Sequence, residues 1–444
     1  MSFELMAILM FASMLVMLLT GRHIFAVIGG VAVAFSLGLW GAGGEGMAFH
    51  ASFSLLNWYP LLTLPLFIYI GYMFSKSGIA DDLYRMMHVW MGPVRGGLAI
   101  GTIVLMSIIA AINGLSVAGM AIGNTICLPE MVKRKYDKIM ISGVIQGASS
   151  LGIMIPPSVV LVLYGMIARQ PVGQLWMAGV FPGLMLAALF IIYVTIRCWI
   201  QPQLGPAASK EERSIPWGEK FKLLSSSILP ILIIFLMSGL FFLGVTSLVE
   251  SSAVGAIAIT IIALINKRLT WKIMVEVLKD TLSVSCMFMW VILAALAFGA
   301  VFDGLGAVYA IESLFLRWNL GRWGIMAMMQ FSYIIMGMFL DDTAMLIVVA
   351  PLYVPLIIKL GFNPIWYGVL YTITCQIAYL TPPFGYNLFL MKAMAPKDFT
   401  IADIYRSVWP FVGVMILGLI LVMIWPQIAL YLPNLYFGLA LGNK

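Results

Sequence analysis

Four short polar breaks in otherwise apolar sequence hold the side chains able to do chemistry. The first reads Asn113-Gly114-Leu115-Ser116, between apolar arms 97 to 112 and 117 to 129, each too short to cross a bilayer. The second reads Phe339-Leu340-Asp341-Asp342-Thr343. One connection after each tip comes an apolar run interrupted by paired prolines: Ser149-Ser150-Leu151-Gly152-Ile153-Met154-Ile155-Pro156-Pro157-Ser158, and Ala378-Tyr379-Leu380-Thr381-Pro382-Pro383-Phe384-Gly385. Two prolines remove two backbone donors, so a helix cannot pass through unbroken. Unwound backbone at membrane depth is tolerated only where protein, water or ions satisfy it. Hydroxyl, amide and carboxylate oxygens with free carbonyls are also what a hard monovalent cation wants. A lone Pro-Pro pair would read as a structural kink, and Asp341-Asp342 as a hairpin end that has reached water. The repetition of tip and proline break, and the expense of burying an ionisable group, favour function.

Other reactive types form no constellation. Cys127, Cys198, Cys286 and Cys375 lie far apart, giving neither a metal site nor a disulfide framework. His23, His50 and His88 fall at predicted helix ends, away from Ser116 and Ser150, so an intramembrane enzyme lacks its parts. Asp303 and Glu250 are expected near the periplasmic interface in a solvated or structural role. The Met and Trp residues read as packing and lipid-facing.

The elements that position these breaks follow from composition. Of 444 residues 62% are hydrophobic and 10% charged, with a mean hydropathy of +1.04. That excludes a water-facing globule and a disordered chain, and the long uncharged runs exclude an outer-membrane barrel. The expectation is an all-α integral membrane protein of about ten transmembrane helices plus two re-entrant helical hairpins. Apolar segments fall at about 4 to 20, 24 to 41, 51 to 74, 97 to 129, 139 to 168 and 174 to 200. They resume at 223 to 245, 248 to 265, 278 to 302, 323 to 359, 365 to 395 and 408 to 430. The first run, Leu5 to Leu19, lacks a basic flank and a cleavage site and reads as a mature helix, not a signal peptide. Gln201 to Glu219 is the polar linker between the two series.

The net charge of +7 reflects basic loops and not nucleic acid. With a periplasmic N-terminus and re-entrant hairpins at 97 to 129 and 323 to 359, every Lys and Arg except Arg169, Arg317, Arg322, Lys359 and Lys444 falls on the cytoplasmic side. The C-terminus is then periplasmic too. An internal repeat supports this topology. Pro129 aligns with Pro355, and Pro156-Pro157 with Pro382-Pro383, at an offset of 226, which also brings Ser116 onto Asp342. Each half has five crossings and a hairpin, so the halves must be inverted. The division expected is scaffold 1 to 95, transport part 96 to 200 (hairpin 97 to 129, broken helix 139 to 168), linker 201 to 221, scaffold 222 to 320, and transport part 321 to 444 (hairpin 323 to 359, broken helix 365 to 395).

Leu151 to Ala168 (LGIMIPPSVVLVLYGMIA), Leu128 to Asp137 (LPEMVKRKYD) and Gly337 to Pro364 resemble the large membrane subunit, the M or DctM-like subunit, of tripartite ATP-independent periplasmic (TRAP) transporters. The likeness covers nearly the whole chain. It departs at Ser247-Leu248-Val249-Glu250-Ser251-Ser252, where the family usually shows T-P-T-E-A-A; nothing catalytic is touched. The resemblance implies an elevator-type, sodium-driven importer of small organic anions in the bacterial inner membrane. It implies a small four-helix membrane subunit (Q, DctQ-like) and a periplasmic substrate-binding protein (the P subunit) as partners, with sodium as coupling ion and no organic cofactor. One sodium would sit among Asn113, Ser116 and the carbonyls of Gly152, Ile155 and Pro157. The other would sit among Asp342, Thr343 and the carbonyls of Ala378, Thr381 and Pro383.

Half-helices begin near 117, 158, 343 and 384, and no Arg or Lys lies in these segments. An anion would therefore be met by helix ends and neutral donors: Asn113, Ser116, Ser150, Ser158, Thr381, Gly385 and Asn387. Carboxylates, sugar acids and sulfonates all suit them. The rival reading is a binding-protein-independent, sodium- or proton-coupled organic anion carrier of related fold. Genes for a binding protein and a four-helix protein beside this one would discriminate the two.

Overall fold

Apolar runs punctuated by Gly and Pro fold into helices throughout the described residues. The computed structural model describes residues 3–18, 20, 23–40, 43–207, 216–225, 228–306, 321–338, 342–382, 385–396 and 398–438. The first half comprises α1 (Phe3–Leu18), α2 (Ile24–Phe35), α3 (Gly44–Leu56), α4 (Thr63–Lys76), α5 (Ile79–Met91), α6 (Gly97–Asn113), α7 (Ser116–Ile122), α8 (Leu128–Lys133), α9 (Lys138–Ser150), α10 (Val159–Ile167) and α11 (Val172–Ile200). The second comprises α12 (Trp217–Leu224), α13 (Ile228–Ile234), α14 (Leu240–Phe242), α15 (Leu248–Ile265), α16 (Trp271–Gly304), α17 (Arg322–Gly337), α18 (Asp342–Lys359), α19 (Pro364–Leu380), α20 (Tyr386–Met394), α21 (Ile401–Ile424) and α22 (Gln427–Pro433). No strand occurs among the described residues.

Among these, α11, α15, α16 and α21 are uninterrupted and long and apolar enough to cross a membrane. The stretch expected as one crossing over 51 to 74 is broken. α3 ends at Leu56, a 3-10 turn runs Tyr59–Leu62, and α4 starts afresh at Thr63. Pro60 cannot donate to a carbonyl one turn back, and Pro65 is tolerated in the first turn of α4, where donors lack partners anyway. His50 lies within α3, not at its end. The linker region is also more structured than its composition suggests, because α12 begins at Trp217. Its backbone carbonyl at Lys220 accepts from Trp90 Nε1 of α5 at 3.2 Å, and Trp90 meets Trp217 and Phe221 edge-on.

α5 is amphipathic, burying Leu83, Met86, Met87 and Val89 while Asp81, Asp82 and Arg85 face out. It carries the chain from α4 to the hairpin formed by α6 and α7. Gly96 makes the turn with φ +72° in the left-handed region, and its N–H donates to the Gly205 carbonyl at 2.8 Å. On the far side of the hairpin, Asp137 caps α9 by accepting from Met140 N. Lys138 reaches Asp398 at 2.7 Å, and that hydrogen bond holds the exposed Asp398 carboxyl below its ordinary pKa.

α9 of the first half packs closely on α21 of the second. Gly143 and Gly147 make this possible: a Cβ at Gly143 would lie 2.5 Å from the Ser407 carbonyl, and one at Gly147 2.5 Å from the Phe411 ring. Alanine ordinarily favours a helix over glycine by up to about 1 kcal/mol, but overpacking costs about 1–3 kcal/mol. The clash wins. Gly143→Ala and Gly147→Ala should each lower the melting temperature of the detergent-purified protein. Unchanged or raised melting in both would show that α21 yields freely.

Candidate functional site

The α6–α7 tip is a built turn. Asn113 ends α6, Gly114 takes φ +66°, and Asn113 Oδ1 accepts the Leu115 N–H at 3.0 Å, closing an Asx turn. α7 then starts at Ser116. Facing the tip, α9 tightens to a 3-10 turn over Leu151–Ile153 and the chain unwinds through Pro156-Pro157, a cis peptide, before α10 begins. Tip and break touch directly. Gly114 O accepts Val159 N–H at 3.3 Å, and a Cβ on Gly114 would collide with the Pro157 carbonyl. A Cβ on Gly152 would lie 2.8 Å from Leu115 O and 3.1 Å from Ser116 N. Thus Asn113, Ser116, Gly152 and Pro157 converge. Ile155 turns its side chain toward Gly183 of α11.

In the second half Asp342 opens α18, and its carbonyl accepts from the Tyr371 hydroxyl. Tyr371 is itself held in a buried aromatic cluster, stacked 6.0 Å from Tyr164 and edge-on 5.0 Å from Tyr333. Gly337, at the end of α17, lies hard against Ala378 of α19. α19 ends with Thr381 donating its hydroxyl to Ile377 O at 2.6 Å, and Thr381 O accepts Gly385 N–H at 3.1 Å. Asp341, Pro383 and the side chain of Thr343 lie outside the described residues.

Among the substrate-binding candidates, Ser116 and Asn387 meet: Ser116 Oγ donates to Asn387 Oδ1 at 3.2 Å. Asn387 Nδ2 donates to the Gln146 carbonyl at 3.3 Å. The first tip is thereby tied to α20 of the second half. Ser150 and Ser158 instead serve their own backbone, Ser150 donating to Gly147 O and Ser158 capping α10 by accepting from Leu161 N. A cavity of about 230 Å³ opens beside the tips, lined among the described residues by Ser116, Asp342, Tyr379 and Tyr386, by Tyr72 of α4, and by Val284, Met287 and Phe288 of α16. Apolar side chains complete it.

Sequence reasoning missed Gln146, Gln376 and Tyr72. Gln376 Nε2 donates to Ser150 O at 3.0 Å, joining the two breaks. A neutral amide in mid-apolar helix was the available signal, since burying one without partners is costly. Asn113 Nδ2, Gln146 Oε1 and Gln376 Oε1 are buried without a hydrogen-bond partner among the described residues. No group of three or more His, Cys, Asp or Glu gathers among the described residues.

The family model for the tripartite ATP-independent periplasmic transporter, DctM component, matches residues 11–428. The chain is 30% identical over 403 residues to the C4-dicarboxylate TRAP transporter large permease protein DctM of Vibrio cholerae, covering 86% of this chain and 87% of that one. It is 26% identical over 388 residues to the ectoine TRAP transporter large permease protein TeaC of Halomonas elongata, covering 85% and 87%. Its fold is similar to the crystal structure of the Alcanivorax borkumensis YdaH transporter, with a TM-score of 0.60 at 14% identity over 89% of this chain and 91% of that one. These relatives are transporters and not enzymes. The apolar helices, the paired breaks and the match along nearly all its length make this chain a multi-pass membrane protein of the DctM family, the large permease subunit of a TRAP transporter.

Proposed function

We propose that the protein imports a small organic anion across the bacterial inner membrane by sodium-coupled, elevator-type movement. The carrying observation is the contact of a polar hairpin tip with an unwound proline break, where Gly114 and Gly152 let backbone meet backbone. Asn113, Ser116, Gly152, Ile155 and Pro157 are the ligand candidates for one sodium, and Asp342, Thr343, Ala378, Thr381 and Pro383 for the other. The buried Asn113 amide and the Gln146 and Gln376 carbonyls lie in the same polar layer. Relatives named for C4-dicarboxylate and ectoine support a small carboxylate as cargo. If sodium binds so, Ser116→Ala and Asp342→Asn should each raise the sodium needed for half-maximal uptake, because each removes or weakens an oxygen that replaces hydration water. Unchanged sodium dependence in both variants would refute the assignment.

Residues 96 to 200 and 321 to 444 form the moving part in this reading, and 1 to 95 and 222 to 320 the scaffold. Supporting it, hairpins and breaks from both halves bond to one another through Ser116–Asn387 and Gln376–Ser150, so they would travel as one body. α4 of the scaffold packs on the first tip, with Gly71 against Asn113. Cysteines linking α4 to α6 should stop turnover on oxidation and release it on reduction. Full activity when completely cross-linked would point to a static, gated pore.

The small Q subunit and the periplasmic P subunit complete the transporter, with both termini of this chain on the periplasmic side. A partner that docks on one conformational state shifts the equilibrium by its differential affinity, so delivery can supply direction as well as cargo. Reconstituted alone, the chain should show little uptake under a sodium gradient; with both partners, uptake should saturate with P subunit concentration. Comparable uptake by the chain alone would favour the binding-protein-independent carrier.

A further inference from the structure

A line of buried hydrogen bonds runs behind the first tip and crosses from one half of the chain to the other. Gln146 is anchored within α9, its Nε2 donating to Ser142 Oγ at 2.9 Å. Its backbone carbonyl accepts from Asn387 Nδ2 of α20 at 3.3 Å, and Asn387 Oδ1 accepts the Ser116 hydroxyl at 3.2 Å, across 271 positions of sequence. Asn387 and Gln146 are fully buried. The cavity beside the tips is lined by Ser116 and by Tyr386, the neighbour of Asn387, but not by Asn387 itself. Seen from the cavity, Asn387 stands behind Ser116.

The orientation of the amide is set by its partners. A backbone carbonyl can only accept, so Nδ2 must face Gln146, which leaves Oδ1 as the acceptor for Ser116. A serine hydroxyl has one proton and two lone-pair sites. With the proton committed to Asn387, the oxygen offers only lone pairs in its other directions, and lone pairs are what a cation requires. With no acceptor behind it, the proton can turn toward the tip and repel a cation there. An outer partner that orients a ligand in this way tunes affinity without touching the ion.

We infer that Asn387 is a positioning residue: it holds the Ser116 hydroxyl with its lone pairs free for the first tip, so that a residue of the second half sets the sodium affinity of the first. The inference rests on the reading of Ser116 as a sodium ligand. It takes Asn387 out of the groups that touch cargo and makes the bond between the halves part of ion binding as well as of packing.

The test is a sodium titration of the melting temperature of the detergent-purified chain, with choline replacing sodium at constant ionic strength. Ser116→Ala is read in three backgrounds. In the parent chain it should raise half-saturating sodium about five-fold, the worth of one hydrogen bond. Asn387→Leu, similar in volume but without an acceptor, should by itself raise half-saturating sodium about five-fold, and adding Ser116→Ala should then change it less than about two-fold. Asn387→Asp keeps the acceptor, so adding Ser116→Ala there should again cost about five-fold. Asn387→Ala carries the same expectation as Asn387→Leu and replaces it if that variant does not fold. A purely structural Asn387 would lower melting in choline and leave sodium half-saturation where it was. That result, a Ser116→Ala effect as large in Asn387→Leu as in the parent chain, or loss of the effect in Asn387→Asp would overturn the inference and leave the sodium reading standing. No shift from Ser116→Ala in the parent chain would refute the sodium reading and the inference with it.

Discussion

A helix that stops inside an apolar protein leaves backbone N–H and C=O groups that must find partners nearby. The rest of this architecture follows from how four such ends are satisfied. The first tip and the first break supply each other: Gly114 O takes the Val159 N–H, and Asn113 and Ser158 cap locally with their side chains. Only glycine at 114 and 152 lets main chains approach this closely. Positions that need no Cβ are thus also the positions where carbonyls crowd together.

The remaining demand is met across the halves. Gln376 bonds the Ser150 carbonyl, a pair separated by 226 positions, the same offset that aligns the two proline breaks in sequence. Asn387 bridges Ser116 to the Gln146 carbonyl. Neither break is closed by its own half alone. Separating them would leave buried amides and carbonyls unpaired, at about 1–3 kcal/mol each, so the polar layer resists being pulled apart. Contacts toward α4 and α16 are of another kind: Gly71 on Asn113, and apolar side chains around the cavity. Non-directional contacts can slide at lower cost than paired hydrogen bonds.

The tips and prolines were legible because each violates a strong local rule: a polar residue or a Pro-Pro pair has no ordinary place in an apolar helix. The half-helix starts expected near 117, 158, 343 and 384 lie within two residues of Ser116, Val159, Asp342 and Tyr386. The break before α4 was hidden because the dip at Asn57-Trp58-Tyr59-Pro60 is short, uncharged and flanked by apolar residues, and hydropathy does not distinguish a crossing from two shorter helices. Trp217 was hidden for the opposite reason, being a polar stretch folded by packing on Trp90. Gln146 and Gln376 went unread because attention to breaks passes over amides that leave the helix intact. Tyr72 and Met287 are ordinary membrane residues whose meaning comes only from the wall they share.

The cavity wall shared between the tips and α4 and α16 would link cargo binding to the proposed movement. A site built wholly on a moving body would bind its cargo equally at both ends of the stroke, and equal affinity shifts no population. In the proposed elevator reading, a cavity walled partly by Tyr72, Met287 and Phe288 of α4 and α16 would change as the tips moved past those helices. Cargo that fitted the combined wall would then stabilise this arrangement over the others by its contact with α4 and α16. Ions held only between tip and break, at Ser116 and Gly152, would not feel that difference. In that proposal the labour would be divided: ions would order the tips within the moving body, and the cargo would report on where that body stands against the scaffold.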